Sequence, residues 1–180
     1  MCGVLAACAS PKPVADGSDD QASAFSRTGR FALRIEDPNA QPEAVQGGFA
    51  WRDAGARLVL DLANPFGSTL ARVEADRGGA RLTRANGEVI TAADPDALVA
   101  DVLGGDIPVA GLRDWLRGRL ANAPAPQNVE RDEQGRPIAF SQGGWAARLS
   151  RYDLLGPQLL VLERSEGGRR IVVRLVVDAS

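Results

Sequence analysis

The chain has 180 residues, 44% of them apolar and 24% charged, enough for one domain with a real core plus a tail. Its net charge is 21 − 23 = −2, with 20 Arg, a single Lys and no basic block, so nothing provides the clustered positive face that nucleic acid needs. Histidine is absent and the only cysteines are Cys2 and Cys8. That removes the commonest general base, any zinc cluster and any disulfide brace for the fold.

The first segment, "MCGVLAACAS", is short, apolar and rich in small residues, which is the pattern ahead of a signal-peptide cleavage site. Leu5-Ala6-Ala7-Cys8 resembles the bacterial lipobox, in which the cysteine becomes the first mature residue and carries lipid through its sulfur. No basic residue precedes the apolar run, and the run is short, so residues 1–7 read as a truncated signal remnant from a late start codon or a trimmed record. Without the lipobox the segment is an unstructured start with two incidental cysteines. Residues 8–24, with "ASPKPVADGSDDQASA", are Pro-, Ser-, Asp- and Ala-rich without periodicity and read as a lipidated flexible tether. No later segment approaches the ~18 apolar residues of a membrane span, so the expected attachment is an anchor.

A single domain is expected over residues 25–180, preceded by a short helix through Gln21 to Arg27. Period-two alternation then dominates: Phe31, Leu33 and Ile35 share a face, as do Phe49 and Trp51, and Leu58, Leu60 and Leu62. After "LDLA" comes Asn64-Pro65-Phe66-Gly67-Ser68, a turn with a phenylalanine at its crest. Pro65 fixes its own φ and pushes Asn64 toward extended geometry. Phe66 either projects into solvent or folds back onto its hairpin.

"TAADPDALVADVLGG" interrupts the meander with a helix. Asp94 is placed as N-cap, Pro95 as first residue, Leu98, Val99, Val102 and Leu103 form its apolar face, and Gly104-Gly105 stops it. A second helix carries Leu112, Trp115, Leu116 and Leu120 on one side and Arg113, Arg117 and Arg119 on a solvated side. Alternation resumes with Trp145, Ala147 and Leu149, and with Ile171, Val173 and Leu175. Turn signals at Asp53 to Gly55, Arg77 to Gly79, Asn86-Gly87, Gln134-Gly135, Gly143-Gly144 and Gly167-Gly168 bring the count to about eleven antiparallel strands.

The predicted class is mainly β with two or three short helices. The helices are too few to cover eleven strands, so the sheet splits into a sandwich or curls around them as an open barrel. A curled sheet leaves its interior packed or hollow, and a hollow would suit an acyl chain. The carboxylates are spread singly along turns and strands as solvated groups. No nucleophile elbow, phosphate loop or dinucleotide fingerprint is present, so no enzyme, cofactor or metal is expected.

"GRFALRI", "LANPFGST", "DIPVAGLRDWLRG", "FSQGGW" and "RRIVVRLVV", in that order from Gly29 to Val177, resemble the outer-membrane lipoprotein LolB family. The resemblance implies an unclosed antiparallel half-barrel capped by helices over an apolar cavity. It implies a receptor, lipid-anchored through Cys8 to the bacterial outer membrane and facing the periplasm. Such a receptor accepts acylated lipoproteins from the periplasmic carrier LolA and inserts them, without nucleotide, into the inner leaflet of phospholipid. Ala9 follows Cys8 where an Asp would signal inner-membrane retention. The resemblance also assigns membrane insertion to the loop of Asn64, Pro65, Phe66 and Gly67, with Phe66 where relatives often carry Leu. The expected cavity lining is Phe31, Leu33, Ile35, Phe49, Trp51, Leu58, Leu60, Leu62, Trp115, Trp145 and Leu149, and a monomer is expected. The alternative is a tethered envelope assembly or structural lipoprotein that binds protein partners and needs no cavity. A soluble LolA-type carrier would share the architecture but lack Cys8.

Overall fold

A computed structural model describes residues 24–105 and 107–179. Cys8, the signal remnant and the tether through residue 23 lie outside the described residues. Eleven strands form one antiparallel sheet: β1 Phe25–Glu36, β2 Glu43–Asp53, β3 Leu58–Ala63, β4 Thr69–Asp76, β5 Gly79–Arg84, β6 Val89–Ala92, β7 Gln127–Arg131, β8 Pro137–Gln142, β9 Trp145–Tyr152, β10 Pro157–Glu166 and β11 Arg169–Val177. The spatial order is β6-β5-β4-β3-β2-β1-β11-β10-β9-β8-β7. The chain is therefore two meanders joined at a central seam where β1 meets β11, with Gly29 opposite Val177 and Ile35 opposite Ile171. The edges β6 and β7 do not pair, so the sheet stays open.

Two helices connect the meanders, α1 Pro95–Leu103 and α2 Val109–Trp115. Asp94 caps α1 by accepting from the Ala97 N–H at 3.1 Å, and Gly104 ends it in the left-handed region. These are the signals read from the sequence. The second helix is shorter than expected. Its last regular residue is Trp115, and the backbone tightens so that Gly118 N–H donates to Trp115 O at 2.9 Å, leaving Leu120 beyond the helix.

The sheet curls. α1 packs on β4, β5 and β6, whereas Trp115 of α2 stacks edge-on against Phe140 of β8 at 5.4 Å. The Trp115 indole N–H donates to Gln142 Oε1 at 3.0 Å, and the Gln142 amide donates to the carbonyls of Ala121 and Pro124. One apolar cluster thus runs from both meanders through both helices. This is the open barrel and not the sandwich.

One sequence expectation fails at the start of the domain. Residues 25–27 open β1 instead of extending a helix; the rest of that predicted helix, 21–23, lies outside the described residues apart from Ala24, which is in no regular element. The inward alternation already begins at Arg27, and the full β2 register from Phe25↔Asp53 onward claims the backbone for the sheet.

Candidate functional site

The β3–β4 turn is rigid and its tip is apolar. Asn64 Oδ1 accepts from the N–H groups of Phe66 at 2.9 Å and Ser68 at 3.0 Å. Gly67 N–H donates to Asn64 O, and Asn64 N–H donates to Ser68 O, closing the loop at both ends. Gly67 takes φ 88°, a conformation that glycine adopts without the Cβ penalty. This lattice leaves Phe66 94% exposed, so the ring projects and does not fold onto the hairpin. A large apolar side chain held fully in water by a rigid turn contributes nothing to the core.

Beneath the two helices the apolar faces of the strands converge. A small, partly open apolar pocket of about 30 Å³ is lined by Phe31, Phe49, Trp51, Leu60 and Leu62 from the sheet, with residues such as Val99, Leu103 and Leu112 from the helices above. Five of the eleven expected lining residues therefore stand on its wall. Leu33, Ile35, Leu58, Trp115, Trp145 and Leu149 are equally buried but pack in solid core around it. The void holds one or two water-sized spheres, far below the ~300–1,000 Å³ of a ligand pocket. Trp51 keeps its indole N–H buried with no hydrogen-bond partner among the described residues, a cost of about 1–3 kcal/mol. The larger clefts, such as one beside Arg57, Glu74, Asp76 and Arg81, are open to solvent and lined by charged and turn residues.

What holds α2 over the cavity is a charge cluster. Asp53, 2% exposed at the end of β2, accepts from Arg113 Nη2 at 2.6 Å, from Arg117 Nη1 at 2.7 Å and from the Gly55 N–H at 2.9 Å. Arg113 Nη2 also donates to Gly55 O, and the Arg117 guanidinium lies 4.1 Å over the Phe25 ring. Burial alone would raise the Asp53 pKa; the two guanidinium hydrogen bonds and the Gly55 amide outweigh it and bring the group from 3.8 down to about 2.

The cluster corrects two sequence expectations. Arg113 and Arg117 do not form a solvated helix face, and Asp53 is not a solvated carboxylate; only Arg119, 62% exposed and paired with Asp114, fits the solvated reading. Helical spacing cannot show this, because the partner carboxylate lies about sixty residues earlier on another element. Sequence reasoning also missed the β9–β10 turn, Asp153 to Gly156, which holds Leu154 in full exposure. Its signal was available: Asp153 and Gly156 repeat the spacing of Asn64 and Gly67.

A family profile described as "Outer membrane lipoprotein LolB" matches residues 23–179. The chain is 60% identical over 178 residues to the outer-membrane lipoprotein LolB of Bordetella pertussis, covering 98% of this chain and 88% of the relative. It is 40% identical over 179 residues to that of Cupriavidus necator, covering 97% and 90%. Among solved structures, a LolA superfamily protein from Nitrosomonas europaea aligns with TM-score 0.42 and 11% identity over 86% of this chain and 87% of that one.

Proposed function

Because the chain belongs to the LolB family of outer-membrane lipoproteins, we propose that it takes acylated lipoproteins from the carrier LolA and releases them into the inner leaflet of the outer membrane. Membership makes it a lipoprotein receptor of the Lol system at that membrane. Cargo acyl chains enter between the sheet and the two helices, widening the small void by displacing α1 and α2. Each methylene buried there gains about 0.8 kcal/mol. The observation that carries the delivery step is Phe66, held 94% exposed by a turn that has no need of it. Its ring enters the bilayer interface and brings the mouth of the cavity to the leaflet. Burying one Phe gains roughly 2–3 kcal/mol, which orients a tethered domain without anchoring it.

The anchor itself is Cys8. The mature protein extracted from membranes should carry a diacylglyceryl thioether and an amide-linked acyl chain on Cys8, seen as added mass on the N-terminal peptide. An unmodified Cys8 in protein made from the natural start would overturn the anchor.

Transfer is tested with a triacylated lipoprotein loaded on LolA, mixed first with this protein and then with liposomes. Cargo should appear on this protein and afterwards in the lipid fraction, while the same cargo without acyl chains should not move. No transfer, or equal transfer of both cargos, would refute acyl capture and leave the tethered assembly factor.

A further inference from the structure

Two buried indoles of the interior differ in one respect. Trp115, 2% exposed, donates its N–H to Gln142 Oε1 at 3.0 Å. Trp51, 1% exposed, has no acceptor for its N–H among the described residues. Its neighbours in the strand register, Arg27 and Leu60, cannot supply one. A guanidinium only donates, and that of Arg27 is engaged with the Asp153 carboxylate and the Pro157 carbonyl.

Water does not fill the role either. The ten other residues that line the pocket beside Trp51 are all Phe, Leu, Val or Ile. A buried water needs about two to four polar partners, and their side chains offer it none. The Trp51 N–H is therefore an isolated donor in an otherwise apolar wall. Its desolvation is already a cost to the empty fold, and a ligand that brings an acceptor removes that cost. A site with a buried unpaired donor also discriminates against any analogue that lacks the acceptor.

The ligand that suits this wall is a hydrocarbon chain ending in one acceptor. An acyl group has that form. Its methylenes match the Phe and Leu surface, and its carbonyl oxygen accepts one hydrogen bond. An alkyl or isoprenoid chain would fill the same space and leave the indole unpaired.

We propose that the Trp51 N–H donates to the carbonyl of a bound acyl group, so that the pocket selects acyl chains, in ester or amide linkage, over plain hydrocarbon chains of equal length. The proposal rests on the reading that cargo acyl chains enter between the sheet and the two helices. It adds a polar point of register, because the carbonyl sets how far the chain is drawn in.

The test titrates the full chain with two soluble probes, palmitoyl lysophosphatidylcholine and its hexadecyl ether analogue. They share headgroup and chain and differ by one carbonyl. Measured by calorimetry below the micelle concentration, the ester should bind about tenfold more tightly than the ether. Trp51→Phe should lower the ester to the affinity of the ether and change the ether little. A second readout needs no variant: in the native chain with isotope-labelled tryptophan, one indole N–H resonance should move downfield with the ester and not with the ether. Equal affinities without an ester-specific indole shift would overturn the hydrogen bond and leave acyl capture standing. An ester preference retained by Trp51→Phe would place the donor elsewhere and overturn this role of Trp51. Failure of both probes to bind would overturn acyl capture itself, and this inference with it.

Discussion

Asp53→Ala is expected to destabilise the domain by about 2–3 kcal/mol at neutral pH, lowering Tm by about 4–10 °C. The carboxylate is nearly inaccessible and accepts from two guanidinium groups and one backbone amide, so its loss strands two cations at the end of α2. Arg113 and Arg117 keep 36% and 19% of their side-chain surface, so water solvates them in part and holds the loss below that of a wholly buried pair. The pH profile separates the ion cluster from simple packing. A carboxylate whose pKa is depressed on folding stabilises the native state above its unfolded value and loses that contribution as pH falls through the folded one. For Asp53 the window runs from about 4 down to about 2, with about 2 kcal/mol at stake. Urea midpoints taken across that window should fall more steeply for the native chain than for Asp53→Ala, and the two curves should converge toward pH 2. Parallel curves would show that Asp53 acts only through its shape.

Phe66→Glu should leave folding intact and abolish delivery. The side chain is 94% exposed, and exposed substitutions rarely move stability by more than about 0.5 kcal/mol. The loop lattice depends on Asn64 and Gly67, neither of which changes. Cargo should still pass from LolA to the variant, because the cavity wall is built from other residues. Release into liposomes should stop, since a carboxylate at the tip opposes insertion where the ring favoured it. Measuring cargo on the carrier, on the variant and in liposomes separates the two steps. Normal delivery would reduce the loop to a turn, and a fall in Tm of several degrees would show that the ring supports the core.

Much of this architecture is legible in one sequence because a curled antiparallel sheet announces itself locally. Phe31, Leu33 and Ile35 alternate with Ala32, Arg34 and Glu36, and the same period recurs in β3, β9 and β11, with turn residues between. Asp94, Pro95 and Gly104 mark α1 at both ends. The state of the interior was not legible, because Leu60 on the cavity wall and Leu58 in solid core obey the same alternation. Nor was the destination of Arg113 and Arg117: helix periodicity reports which side a residue takes, not which distant strand end awaits it. Arg27 misled for a related reason, as a buried arginine on the inner face of β1 breaks the apolar alternation and makes Gln21 to Arg27 look like the start of something else.

The seam between β1 and β11 has a consequence for how the molecule forms. The first strand to leave the ribosome has the last as one of its two neighbours, and Val177 lies 148 positions after its partner Gly29. Neither meander can complete the cluster beneath the helices before the final strand arrives. Until β11 pairs, β1 and β10 each keep an unpaired edge where the seam will form.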